Sequence, residues 1–96
     1  MSGATLNPHL VPVQRFAVMG YLGQVEKSTL GSVARRTGLT VAEVSKAVRL
    51  LEKSDYVTVP PERPDEHADT VVFCTPAGRT EITRLIRTLR ELAKTD

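Results

Sequence analysis

The stretch Thr40 to Lys53 gathers the side chains best suited to chemistry with a partner molecule. Lys46 and Arg49 are long cationic donors three residues apart, a pairing that reaches phosphate oxygens or the acceptor-rich edge of a guanine. Ala42 is small enough to let a backbone approach closely and could meet a thymine methyl, while Ser45 lies at the edge of the same face. Glu43 has two open readings: it could accept from a cytosine amino group, or it could close a capping box with Thr40 three residues before it. Ser28 and Thr40 each stand ahead of a predicted helix, where free amides and positive partial charge could anchor a phosphate. Arg63 is the one basic side chain of an otherwise acidic segment and could insert beside a phosphate backbone.

Other chemistries find little support. Asp65, Glu66 and Asp69 cluster in a segment rich in proline and charge, where water would screen them and nothing would fix an acid and a base at a set separation. Gly20, Gly23 and Gly31 do not follow a strand and open a helix, so no phosphate-cradling loop is expected. His9, His67 and Cys74 lack the spacing of metal ligands. The expectation is therefore a protein that is not an enzyme, with no metal and no cofactor. Cys74, closing a predicted strand with no flanking base, reads as an inert thiol.

The elements that must position these residues are announced by repeated capping signals. Asn7 before Pro8 predicts a first helix over 7–24, with Pro12 a second candidate start at about residue 12. Ser28 or Thr29 predicts a second helix over 28–36. Thr40 with Glu43 opens a third over 40–53, in which Val41, Val44, Val48 and Leu51 form the apolar stripe opposite Ala42, Lys46 and Arg49. Thr75 before Pro76 opens a last helix over 75–94. Between the last two helices the hydrophobic period shortens to two. Tyr56 to Val59 and Thr70 to Phe73 predict a hairpin over 56–73, tipped by residues 60–69. Gly38 supplies the left-handed residue needed for a sharp turn between the second and third helices. The result is a mainly α (α+β) fold, a winged helix-turn-helix of order α-α-α-β-β-α, filling residues 1–96 as a single domain.

Composition sets the remaining bounds. The chain has 96 residues and a net charge of only +2, which conceals a strong division. Residues 1–55 carry seven basic and four acidic side chains, a net of +3; residues 56–74 carry one basic and four acidic, a net of −3; residues 75–96 return to +2. Aromatic residues make up 4%, so the core is aliphatic and small, and a second subunit is expected to extend it. Phe16, Ile82, Leu85, Ile86, Leu89 and Leu92 are the residues expected at that homodimer interface, with Arg84 and Arg87 on a solvated face. A single cysteine, no apolar run long enough to span a bilayer and no secretory signal predict a cytoplasmic protein without membrane attachment. Nothing marks a small-molecule effector, although a crevice between subunits would have room for one.

Taken in order, Asn7-Pro8, Thr37-Gly38-Leu39-Thr40, Ser45-Lys46, Leu51-Glu52, Tyr56-Val57 and Thr75-Pro76-Ala77-Gly78-Arg79 resemble the small winged-helix transcriptional regulators related to the MarR and ArsR groups. The resemblance runs from about residue 7 to 93. It implies a homodimer bound to double-stranded DNA at a palindromic operator, with the third helix in the major groove and recognition positions at Thr40, Ala42, Glu43, Ser45, Lys46 and Arg49. The acidic hairpin tip departs from the basic wings common in that family, and Asp55 stands where glycine is usual. These departures keep an alternative in view: a winged-helix protein-interaction module that has lost DNA binding.

Overall fold

The computed structural model describes residues 12–60 and 68–94. Four helices and a three-stranded sheet follow in the order α1 (Val13–Val25), β1 (Lys27–Thr29), α2 (Leu30–Thr37), α3 (Val41–Lys53), β2 (Val57–Thr58), β3 (Val71–Cys74) and α4 (Pro76–Ala93). All four predicted helices are present. The Asn7-Pro8 start of the first lies outside the described residues, and the helix as described opens after Pro12, whose carbonyl accepts from the Phe16 amide at 2.9 Å.

One element departs from the expected order. The predicted two-stranded hairpin is a three-stranded antiparallel sheet of order β1-β3-β2. The additional strand, Lys27-Ser28-Thr29, has no strand composition of its own; it is extended because it pairs with Phe73, Val72 and Val71 of the central strand. Ser28 therefore does not cap α2. That role belongs to Thr29, whose hydroxyl accepts from the Ser32 amide at 3.1 Å.

The core collects one apolar face from each helix and the inner face of the sheet. Val18, Met19 and Leu22 of α1 meet Leu30 and Val33 of α2, Val44, Val48 and Leu51 of α3, Val57 and Val72 of the sheet, and Ile82 and Leu85 of α4. Helix α1 is the hub, packing against α2, α3 and α4. The junction between α3 and α4 is tied by backbone. Asp55 takes the left-handed conformation expected of it, with φ of 62°. The Thr75 amide then donates to the Tyr56 carbonyl at 3.1 Å, and the Thr75 hydroxyl to the Asp55 carbonyl at 2.6 Å. Gly78 lies so close to the Tyr56 carbonyl that a β-carbon there would collide with it and stand 3.0 Å from Met19 Cε.

Candidate nucleic-acid interface

The turn between α2 and α3 is built as its sequence demands. Thr37 ends α2 by donating its hydroxyl to the Val33 carbonyl at 2.7 Å, and Gly38 follows with φ of 75°, its amide returning to the Ala34 carbonyl at 2.9 Å. Leu39 packs against the core inside the angle. Thr40 then opens α3 with both halves of the capping box. Its hydroxyl accepts from the Glu43 amide at 3.1 Å, and Glu43 Oε1 accepts from the Thr40 amide at 2.9 Å.

The second carboxylate oxygen of Glu43 is also engaged. Gln14 Nε2, from α1, donates to Oε2 at 3.0 Å. Glu43 thus joins the start of α3 to α1, which favours its structural reading over base recognition. No sequence pattern marks Gln14, because a contact across 29 residues leaves no local periodic signal.

Beyond the cap, α3 divides into two faces, with Leu50 also exposed at the edge of the polar one. Val44, Ser45, Ala47, Val48 and Leu51 are buried, while Ala42, Lys46, Arg49 and Lys53 are exposed. At about 100° per residue, these four exposed positions fall within roughly 60° of arc. Ser45 is the correction to the expected set. It is 5% exposed, and its hydroxyl accepts from Arg49 Nη2 at 3.3 Å. It lies one helical turn before Arg49 on the buried side, so it steadies that guanidinium instead of presenting itself to a ligand.

Helix α2 changes in the same way. Its first amides are already satisfied within the chain: Leu30 donates to the Thr70 carbonyl at 3.0 Å, Gly31 to the Ala68 carbonyl at 2.9 Å and Ser32 to the Thr29 hydroxyl. The phosphate anchor expected at Ser28 is therefore occupied by the base of the hairpin, and Ser28 itself is half-buried in β1. At the other end, Arg35 and Arg36 are exposed; Arg36 lies 5.8 Å from the centroid of the Tyr21 ring, a cation–π contact that fixes α2 against α1. Arg63 lies outside the described residues.

The expected apolar interface is similarly redistributed. Ile82 and Leu85 are 3% and 4% exposed and belong to the subunit's own core, because the first turns of α4 are docked on α1. Phe16 and Ile86 are half-buried against that core. Leu89 and Leu92 remain exposed, as does Val13 at the start of α1. Cys74 is half-buried, and burial pushes its thiol up from its ordinary value, with the nearby Arg79 charge opposing and Glu26 reinforcing the shift. Among the described residues no group of three or more His, Cys, Asp and Glu side chains could hold a metal, and no helix is long and apolar enough to cross a membrane.

Solved structures share this architecture. A transcriptional regulator homologue from Pyrococcus horikoshii superposes with a TM-score of 0.76 at 24% identity, covering 88% of this chain and 84% of that one. Bordetella bronchiseptica BpsR, whose DNA binding is regulated by 6-hydroxynicotinic acid, gives 0.76 at 19% identity over 94% of this chain and 67% of its own. Staphylococcus aureus MarR, solved with salicylate and kanamycin, gives 0.74 at 18% identity, and this chain covers 61% of its length. These likenesses establish a fold shared with MarR-family regulators. Among curated proteins no relative matches. The family model "Winged helix DNA-binding domain" matches residues 14–93, nearly the whole described fold: the chain belongs to the winged helix DNA-binding domain family.

Proposed function

We propose that this chain is a transcriptional regulator that binds double-stranded DNA as a homodimer, placing α3 in successive major grooves of a palindromic operator. The observation that carries the reading is the exposed face of α3. Ala42, Lys46, Arg49 and Lys53 form one stripe on a helix held by a complete capping box and, through Glu43, by Gln14 of α1. Lys46 and Arg49 supply hydrogen bonds and charge to guanine edges or phosphates, and Ala42 leaves room for the groove wall. Helix α1 is the rigid support that keeps this stripe at a fixed angle to the rest of the domain.

The homodimer rests on the apolar surface that the subunit leaves uncovered. Leu89 and Leu92 of α4 are 37% and 40% exposed, and Val13 of α1 is 80% exposed, beside the half-buried Phe16 and Ile86. A second copy burying Val13, Leu89 and Leu92 would bring two α3 helices into one symmetric assembly, which is what a palindromic half-site arrangement requires.

The test is selection of bound duplexes from random sequence at a stated salt concentration, followed by affinity measurements on the double variant Lys46→Ala/Arg49→Ala. A selected inverted repeat, bound by two chains, is the expected result. The double variant should bind that repeat at least tenfold more weakly, with a log affinity against log salt slope shallower by about two units, since each lost phosphate contact removes roughly 0.9. An unchanged affinity and slope would remove α3 as the DNA-contacting helix. Selection of sequences without symmetry would remove the dimer.

A further inference from the structure

We propose that the solvent face of α4 is a second, sequence-independent contact for the phosphate backbone of duplex DNA, separate from the bases reached by α3. The inference rests on the DNA-binding reading above and adds a surface to it. Residues 79–94 carry five cations, Arg79, Arg84, Arg87, Arg90 and Lys94, against Glu81 and Glu91. At about 100° per residue, Arg79, Thr83, Arg87, Arg90 and Lys94 share roughly 80° of arc, opposite the apolar side that holds Ile82, Leu85 and Leu89. All five are exposed.

The surface is shaped as well as charged. Two adjoining depressions of about 340 and 410 Å³ run along it, and Thr83 and Arg87 line both. Arg79, Thr80 and Arg84 complete the first, and Arg90 and Lys94 line the second together with Ile86 and Glu91. Guanidinium, ammonium and hydroxyl groups are all donors to phosphate oxygens. Two carboxylates touch the stripe, Glu26 on Arg79 at 2.6 Å and Glu91 on Lys94 at 3.7 Å, and Glu81 meets Arg84 beside it at 3.3 Å. They leave the row with a surplus of positive charge, to which Arg87 and Arg90 contribute two guanidinium groups.

Length and composition select the polyanion. From Arg79 to Lys94 the helix rises about 22 Å, along which one strand of a duplex presents roughly six phosphates. An anionic bilayer would require well-exposed apolar side chains among the cations; here Ile86, which lines the second depression, is half-buried against the core, and the exposed Leu89 and Leu92 lie on the other side of the helix. A single strand would be favoured by aromatic rings for base stacking, and α4 contains none. Charge without base-reading geometry is what sequence-independent duplex contact needs.

The full chain is titrated against a random-sequence duplex across a salt series, as wild type and as Arg87→Ala/Arg90→Ala/Lys94→Ala. The triple variant is expected to bind that duplex at least tenfold more weakly, with a slope shallower by two to three units, while its preference for the selected operator over random duplex is retained. Arg87→Lys/Arg90→Lys, which preserves both charges, is expected to keep the wild-type slope; loss of slope in that variant would overturn the charge argument. An unchanged slope in the triple variant overturns the inference, and it leaves the α3 reading intact where Lys46→Ala/Arg49→Ala weakens operator binding at least tenfold. Failure of the wild type to bind any duplex overturns both readings. A triple-variant defect seen on phosphatidylserine vesicles but not on duplex would reassign the face to lipid.

Discussion

Helices α3 and α4 carry nearly the same signal in sequence, a polar cap followed by an apolar stripe and a basic opposite face, yet the fold treats them differently. In α3 the stripe is covered along its length: Val44, Val48 and Leu51 are each at most 1% exposed, and Val41 at the first turn is half-buried against the core. In α4 only the first half is covered. Ile82 and Leu85 are buried, whereas Leu89 and Leu92, one and two turns later, lie in solvent. The difference comes from what each helix has beside it. α3 is flanked by α1, α2 and β2, whereas α4 packs chiefly on α1 and runs past the described core. Amphipathicity states that a face seeks cover; only the neighbours determine whether the subunit provides it.

The comparison is broken most severely at the buried leucines. Leu51→Ala removes a side chain with no exposed surface and should cost roughly 2–5 kcal/mol of stability, the usual range for such truncations. Leu89→Ala, chemically the same change, should cost the isolated subunit less than about 0.5 kcal/mol and instead weaken self-association. Urea unfolding combined with sedimentation of both variants checks the pair. Equal stability losses would show that α4 is as fully docked as α3.

A smaller effect tests how each helix starts. Thr40→Ala removes one half of the capping box and should destabilise the chain by about 1 kcal/mol. It should also loosen the hold of Glu43 on Gln14, so operator affinity is expected to fall by more than the stability loss alone explains. Denaturant melts and binding titrations of the one variant separate these contributions. Affinity falling only in proportion to the unfolded fraction would show that the cap does not orient the α3 face.

The smallest effect lies at the docked beginning of α4. Cys74 precedes the Thr75 cap, and burial raises its thiol above the ordinary 9.0. A raised value means that the folded chain holds the proton more tightly than the unfolded one. The associated stability is therefore fully present below about pH 9 and is lost as pH climbs above it toward the raised folded value. Iodoacetamide labelling across pH should show a thiolate midpoint above that of an unfolded control. A midpoint at or below the control's would mean that this end of the helix opens to solvent.

Much of the architecture was legible because it depends on local chemistry. Thr40 and Thr75 each cap a helix, Thr29 does so as one of the two candidates with Ser28, Gly38 takes the left-handed conformation, and Asp55 does so where glycine is usual. The face of α3 bearing Ala42, Lys46 and Arg49 followed from periodicity alone. What was not legible depends on partners distant in the chain. β1 is a strand only because β3 pairs with it, and the amides at the start of α2 are occupied only because Thr70 and Ala68 return to them.

The sequence by itself determined where helices begin and turn and which side of each is apolar, because caps, turn residues and spacing act over a few residues. The tertiary structure decided what those surfaces are for. It placed Ser45 beneath Arg49, tied Glu43 to Gln14, and drew Ile82 and Leu85 into the core while leaving Leu89 and Leu92 outside. The physical reason is range: hydrogen bonds within one turn can be read from adjacent letters, but burial depends on which distant segments arrive to exclude water.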